Sequence, residues 1–580
     1  MTSALTCSQR SQGQCRAAQP EYISQPKGYV DKHSYSLILT SALKLPRSVA
    51  AGGVAVVAAI ALATTAFAAQ TPIVTESFTN ATTTSSDWAL PGAPTGANVA
   101  CLTASSNASQ TPIPGCALPT PDGSGALRLT NAGNGEEGGV AFTQTLPTTK
   151  GLDVTFNSYQ YGGSGADGID FFLAAANPTS PAPPSTVGSP GGDLGYSSGT
   201  GTTGLADGYL GIGLDVYGNY TNSNFDGAGC TDPSWVGASA AVPGQVTVRG
   251  PGNGTTGYCP LTSTAATDLG ARQALDGGPS GTRVTSKVPV EIAINAGSSS
   301  LTTTSGLVVP AGDYAVAFKP IGSSEVRFDG ALPTISNGEI PSGTIPAAWI
   351  NPTTGLPYQL TMGWVGSTGG STDIHEVTDA VANTLSGKLP GLAASLSAQP
   401  AQPQATSTYV LRVSTTAVGG PETQSIVVTD AFPSSVTPRL AGAGGTGWVC
   451  SVTGQQDTCT YGVTSALAAG TVLPPLSMPV TVDAPAGTAV IDSAAVGSND
   501  VFPVNVSAAF VVPGIAVPST GAALPLLSSV PIGLLLILAG GAVVGVGVIS
   551  AVRRSPRQPR ARSGPAPLPD AAVVHGAPHP

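Results

Sequence analysis

The feature that most restricts this chain is its punctuation. Between residues 70 and 385, short runs rich in Val, Ile, Phe and Tyr are separated by clusters of Gly, Pro, Ser and Asn; GLDVTFNSYQY, GIDFFLAA, YLGIGLDVY, VPVEIAIN, DYAVAFKP and YQLTMGWVG are examples. The runs follow period two, the repeat of a strand whose successive side chains point to opposite faces. Strands this short, with turn signals this frequent, predict an antiparallel sandwich or barrel. The 75 glycines and 51 prolines belong to the same pattern. With only 9% of 580 residues charged, the chain lacks the Glu, Lys and Arg that helical bundles and coiled coils live on.

A length prior of about 150 residues per domain suggests three or four segments. Around 386–404 the sequence turns to small residues with Pro390, Pro400 and Pro403, which predicts a linker. Residues 405–515 then repeat the β idiom in TYVLRVSTTA, SIVVTDAF, MPVTVDA, AVIDSAAVG and VNVSAAFVV, about the length of one Ig-like domain. This stretch resembles the Ig-like repeat domains of bacterial surface proteins in its VVTDAFPSSV and GWVCSVTG segments, and the resemblance implies a spacer. The expected fold class is all-β, two sandwiches in tandem.

The charges divide by position. Residues 1–69 sum to +4, residues 70–520 to −18 and residues 553–580 to +4, which gives the net −10. Basic ends around an acidic middle predict a chain that exports what lies between its termini, since positive segments stay inside. So acidic a chain offers phosphates no basic field, and nucleic acid is not an expected partner. The run VAAGGVAVVAAIALA at 49–63 follows Lys44 and Arg47 and precedes Ala66-Phe67-Ala68-Ala69, the layout of a signal peptide cleaved after Ala68 or Ala69. Residues 524–552 are predominantly apolar and uncharged and meet Arg553 and Arg554, which predicts a transmembrane helix with a cytoplasmic tail at 553–580. Just ahead lies Val517-Pro518-Ser519-Thr520-Gly521. The order resembles the sorting signal by which Gram-positive bacteria link proteins to peptidoglycan, with Val where that signal has Leu. Membrane and peptidoglycan are the two anchors it implies, and either leaves the middle of the chain on the cell surface.

Six of the eight cysteines lie in the exported part, and nearest neighbours pair as Cys101 with Cys116, Cys230 with Cys259, and Cys450 with Cys459. Six cysteines allow 15 connectivities, of which this is one. An oxidising compartment is the setting for such bridges. Zinc is the rival reading, but no C-x2-C spacing occurs and His375 is the only histidine of the exported part.

One segment concentrates oxygen donors. In LGIGLDVYGNYTNSNFDG, a strand ending at Asp215 runs into a turn with Tyr217, Asn219 and Asp226. Calcium takes several oxygens from carboxylates, amides and backbone carbonyls, and Asp215, the Tyr217 carbonyl, Asn219 and Asp226 supply all three kinds, with Asp232 close behind. The alternative is a turn whose Asn and Asp side chains cap their own backbone.

With three further segments the loop forms a pattern. Asp167 lies in GSGADGIDFFLAA, Gly191 and Gly192 in SPGGDLGY, and Gly369 and Gly370 in VGSTGGSTDIHEV. In chain order these resemble the sugar-site loops of the L-type lectins, the legume lectins and their animal and bacterial relatives, over most of residues 75–385. The resemblance implies a jelly-roll sandwich and a carbohydrate partner. It implies that Asp167, after a cis peptide, accepts from two sugar hydroxyls, and that Gly192 donates its N–H. Asn219 would serve both calcium and sugar, Tyr217 would give its carbonyl to the metal and its ring to the pyranose, and Gly369 and Gly370 would close the pocket. Legume lectins carry a Glu two residues before the shared Asp for a second metal; here that residue is Gly213, so calcium alone is implied.

Other features carry less. Gly163, Gly165 and Gly168 make a GxGxxG, but the following IDFFLA reads as a strand where a phosphate cradle needs a helix. His375, between Asp373 and Glu376, suggests acid–base chemistry or a polar strand entrance, and no Ser or Cys motif accompanies it. No E-x-D-x-x-E arrangement of the sandwich glycoside hydrolases occurs. The expectation is a calcium-dependent carbohydrate-binding surface protein and not an enzyme. The alternatives are a structural surface protein without a ligand, or a glycoside hydrolase.

Overall fold

The computed structural model describes residues 70–514 apart from 95, 231–237, 239, 265–273, 336, 337 and 339. The expected signal region, the 517–521 pentapeptide, the apolar span at 524–552 and the tail at 553–580 lie outside the described residues. Within them the regular structure is strand with short 3-10 turns, and there is no α-helix.

Two antiparallel sheets form the first sandwich. One runs in the order Val326–Ala331, Asp313–Phe318, Lys287–Ile294, Leu152–Tyr161, Ile374–Thr384, Leu127–Thr130 and Cys101–Leu102, with Thr71–Glu76 also on Ile374–Thr384. The other is centred on Gly208–Asp215, Gly168–Ala176, Gln359–Ser367 and Glu137–Phe142, with Gln245–Arg249 beside Gly208–Asp215. Sheet neighbours are far apart in sequence, as where Leu152–Tyr161 pairs with both Lys287–Ile294 and Ile374–Thr384. Such crossing connections fit a lectin-type jelly roll and not a meander.

The strand GYLGIGLD shows how the sequence encodes this. Leu210, Ile212 and Leu214 point into the core between the sheets. On the opposite face, a Cβ at Gly211 would come within 2.4 Å of the Tyr196 ring, and one at Gly213 within 2.4 Å of the Tyr220 ring. Alternating large residues with glycine therefore lets loops carrying Tyr196, Tyr220 and Tyr258 lie flat on the outer face. In consequence Gly168–Ala176, Gly208–Asp215 and Gln359–Ser367 are buried along their whole length, where an antiparallel strand commonly keeps one wet face. Between the sheets, Trp364 is the hub of an aromatic cluster, with ring centroids 5.5 Å from Phe156, 5.7 Å from Phe171, 6.0 Å from Trp88 and 6.1 Å from Phe78.

The second sandwich pairs a four-stranded sheet (Leu392–Ala398, Thr406–Thr415, Leu476–Val482, Val436–Pro438) with a five-stranded one (Trp448–Thr453, Gln456–Tyr461, Ile426–Ala431, Ala489–Ser498, Val501–Val511). The expected linker at 386–404 holds the first of these strands. Leu392–Ala398 pairs with Thr406–Thr415 from Leu392 opposite Thr415 to Ala398 opposite Tyr409. Its small residues alternate with Leu392 and Leu396, which pack on the core, and this period-two signal was masked by the flanking prolines. All three nearest-neighbour disulfides are formed, with Cα separations of 5.1, 5.3 and 4.0 Å in chain order.

This second core contains an electrostatic liability. Asp430 and Asp457 face each other across paired strands, Asp492 lies beside them, and all three carboxylates are buried without a conventional hydrogen-bond partner. Burial, then Asp492 and Asp457, push Asp430 up to about 8. A carboxyl raised in the folded chain holds a proton that the unfolded chain has released, so stability falls as pH rises from about 4 through about 8. Replacing Asp430 with Asn should raise the thermal midpoint of this domain at pH 8, by about 4 °C for each kcal/mol regained, and flatten its pH dependence. Melting curves at pH 5 and 8 test this, and a midpoint lowered at pH 8 would contradict it.

Candidate functional site

Four loops meet at the end of the second sheet, and Asp167 is where they are tied together. Its N–H donates to the Ser367 carbonyl at 3.0 Å, and its carbonyl accepts from the N–H groups of Val216 and Tyr217 at 2.9 and 3.2 Å. The peptide before it, Ala166-Asp167, is cis. Ser367 Oγ donates to the Gly191 carbonyl at 2.8 Å, bringing in the 191–193 turn. A Cβ at Gly369 would lie 2.9 Å from Asp167 Oδ2, and one at Gly192 would lie 2.5 Å from the Asn219 Cβ. Glycine is thus required at 192 by the close approach of Asn219 and the Phe225 ring. Gly370 has open space where a Cβ would stand, and its carbonyl accepts from Asn134 Nδ2 at 2.7 Å. Asp167, Gly192, Asn219, Gly369 and Gly370 are therefore brought to one place, and Tyr217, 36% exposed, stands beside them.

The electrostatics of this meeting point centre on carboxylates. Asp167 is buried, and its Oδ2 has no hydrogen-bond partner. Burial pushes it up to about 7, partly offset by the Gly369 N–H and reinforced by the charge of Asp193. Asp193, also buried, is raised to about 6, first by burial, against hydrogen bonds from Thr202, Ser197 and Gly199 and the charge of Arg249. An unpaired buried acceptor is unfavourable unless something donates to it. A ligand with hydroxyl groups can do so through short, charge-assisted O–H···O⁻ bonds.

The loop after Asp215 is organised differently from the expected calcium site. Asp215 Oδ1 accepts from the Gly218 N–H and Oδ2 from the Tyr220 N–H, both at 2.7 Å, while Asn222 caps Asn224. Asp215 is fully buried and pushed up to about 7 by burial, against these two N–H groups. Asp226, expected as the far ligand, instead pairs with Arg249, Oδ1 to Nη1 at 2.6 Å. The pairing has a physical cause: the guanidinium is wholly buried, and an unpaired buried charge is far more unfavourable than a paired one. Among the described residues no three His, Cys, Asp or Glu side chains converge to hold a metal. Asp232 lies outside the described residues. With Asp226 engaged elsewhere and Asp215 capping its own loop, the four-donor set implied for calcium does not fit these residues.

The remaining features resolve into structure. His375 is fully buried, its Nδ1 lies 2.6 Å from Thr130 Oγ1, and burial lowers it to about 3, which keeps it neutral. Glu376 is clamped by Arg128 and Arg283, at 2.8 and 2.6 Å. The GxGxxG glycines lead into the strand Gly168–Ala176 and not into a helix. Sequence reasoning missed Asn134, Asp193, Phe225 and Arg249. Of these only Arg249 carried a signal, a lone cation ending the β run QVTVR.

No family model matches this sequence, and no curated protein matches it. The solved structures that it resembles include legume-type lectins and L-type lectin domains. Lectin I-B4 from Griffonia simplicifolia, in its metal-free form, is 13% identical, over 53% of this chain and 98% of that one, with a TM-score of 0.29. The exoplasmic/lumenal domain of VIP36, in its Ca2+/Man3GlcNAc-bound form, is 14% identical, over 45% of this chain and 80% of that one, with a TM-score of 0.25. BcpA, the major pilin subunit of Bacillus cereus, is 13% identical, over 37% of this chain and 63% of that one, with a TM-score of 0.17. Likenesses this weak carry no argument about the site, which stands on its own geometry.

Proposed function

We propose that residues 70–385 are a lectin-like domain that binds carbohydrate, as part of a non-enzymatic surface protein. The supporting observation is Asp167 Oδ2, a buried, unpartnered carboxylate oxygen at the meeting point of four loops, beside an exposed aromatic ring. Carbohydrates offer hydroxyl donors for that unpartnered oxygen, and a C–H face that can stack on an aromatic ring such as Tyr217. Gly192, Asn219, Gly369 and Gly370 complete the contact surface, and the open space at Gly370 lets a ligand approach the backbone. In the same proposal the second sandwich is an Ig-like spacer. The C-terminal apolar span anchors the chain in the membrane, or the 517–521 pentapeptide links it to peptidoglycan, on the surface of a Gram-positive bacterium. Binding of single sugars at one such pocket is weak, and many copies on one surface supply avidity.

A glycan array probed with the full chain tests this reading, with and without calcium or a chelator for the metal dependence that the sequence implied. Selective binding to a set of glycans is the expected result. Binding to none would favour a purely structural role, and reducing-sugar release from polysaccharides would favour a hydrolase.

A further inference from the structure

We infer that the Arg249 guanidinium is the built-in cation that holds the sugar-site loop in shape, and that it takes Asp226, one of the four donors that the sequence assigns to calcium. Its fork meets four oxygens from three parts of that loop and one neighbouring turn. Nε donates to the Tyr220 carbonyl at 2.9 Å, Nη2 to the Asn222 carbonyl at 3.1 Å, and Nη1 to both Asp226 Oδ1 and the Tyr258 carbonyl at 2.6 Å. Three carbonyls and a carboxylate are the oxygen types calcium would gather, so the two cations would compete for one kind of donor set. The side chain is fully buried, and its guanidinium carbon lies 4.8 Å above the Tyr220 ring. That ring in turn rests on Gly213, whose missing side chain makes room for it. Burial pushes the carboxyls of Asp170, Asp193 and Asp215 up, and the charge of Arg249 offsets part of that rise in each. A guanidinium suits this work because its charge is permanent and its five N–H groups are fixed in one plane, whereas a lysine ammonium is a single point.

Arg249 touches no part of the candidate ligand surface, so it is a positioning residue. It sets Tyr220, Asn222 and Asp226, and through them the Asn219 and Phe225 that pack on Gly192. Its significance for ligand binding rests on the carbohydrate reading, but its effect on the loop does not.

The test uses the full chain in three arms. Wild type is melted with calcium and with chelator; the expected midpoints coincide, whereas calcium gripping the loop at 100 times its Kd would raise the midpoint by about 5 °C or more. Chymotrypsin, which cuts after Tyr220 and Phe225, should open the loop in Arg249→Met and in Arg249→Lys but not in wild type with chelator. Glycan affinity should fall at least tenfold in Arg249→Met and stay within twofold in wild type with chelator. A calcium-raised midpoint, or a wild-type loop opened by chelator, would overturn the inference. So would a protected loop in Arg249→Met. If Arg249→Met does not fold, the wild-type calcium arms decide alone. If no glycan binds, the melting and proteolysis arms still decide, which separates failure of this inference from failure of the carbohydrate reading.

Discussion

Asp167→Ala is expected to weaken glycan binding severely and to leave the fold intact. Hydrogen bonds to a charged acceptor contribute roughly 1.5–3 kcal/mol each. Losing two such bonds weakens binding by more than about 100-fold, at about 1.4 kcal/mol per tenfold. The fold should suffer little, because Oδ2 has no protein partner to lose, and relief of a carboxyl buried against its preference for water offsets the lost contact with the Gly369 N–H. The thermal midpoint should be equal to or above that of wild type. This split between function and stability distinguishes a ligand-binding carboxylate from a structural one. Titration of the strongest array ligand against both proteins, with melting curves alongside, checks it; unchanged affinity would remove Asp167 from the site.

Trp364→Ala has the opposite signature. Trp364 is fully buried and lies within 6.1 Å of four other aromatic rings, so truncation leaves a large cavity between the two sheets. Large-to-small changes of this kind destabilise by roughly 3–5 kcal/mol, the lost transfer energy plus the unfilled volume. That is a fifth or more of the typical stability of about 5–15 kcal/mol. Denaturant unfolding followed by tryptophan fluorescence reads the effect. A loss below about 1 kcal/mol would mean that the core is organised around other residues.

The architecture was legible because its encoding is local. Alternation in YLGIGLD and short runs between turn residues give strands, and strands without helices give sandwiches. The nearest-neighbour cysteine pairing also held in all three cases. The strand at Leu392–Ala398 was missed because its register is set by pairing with Thr406–Thr415, a contact that its Ala- and Ser-rich sequence does not advertise. For the site, the convergence of Asp167, Gly192, Asn219 and Gly369 is a property of fold and motif together. The fate of Asp226 was not legible, because it depends on Arg249, 23 residues further along the chain, arriving from an adjacent strand. A carboxylate in a donor-rich loop reads the same whether a metal or a guanidinium claims it, and only the third dimension decides.

If the four loops that meet at Asp167 hold a sugar, their backbone amides must feel it. The most direct measurement is an amide NMR titration of the isotope-labelled chain with its strongest array glycan. Shifts concentrated at Asp167, Gly192, Tyr217, Asn219 and Gly369 are the predicted result; saturable shifts confined to other surfaces, with these five amides unmoved, would contradict it.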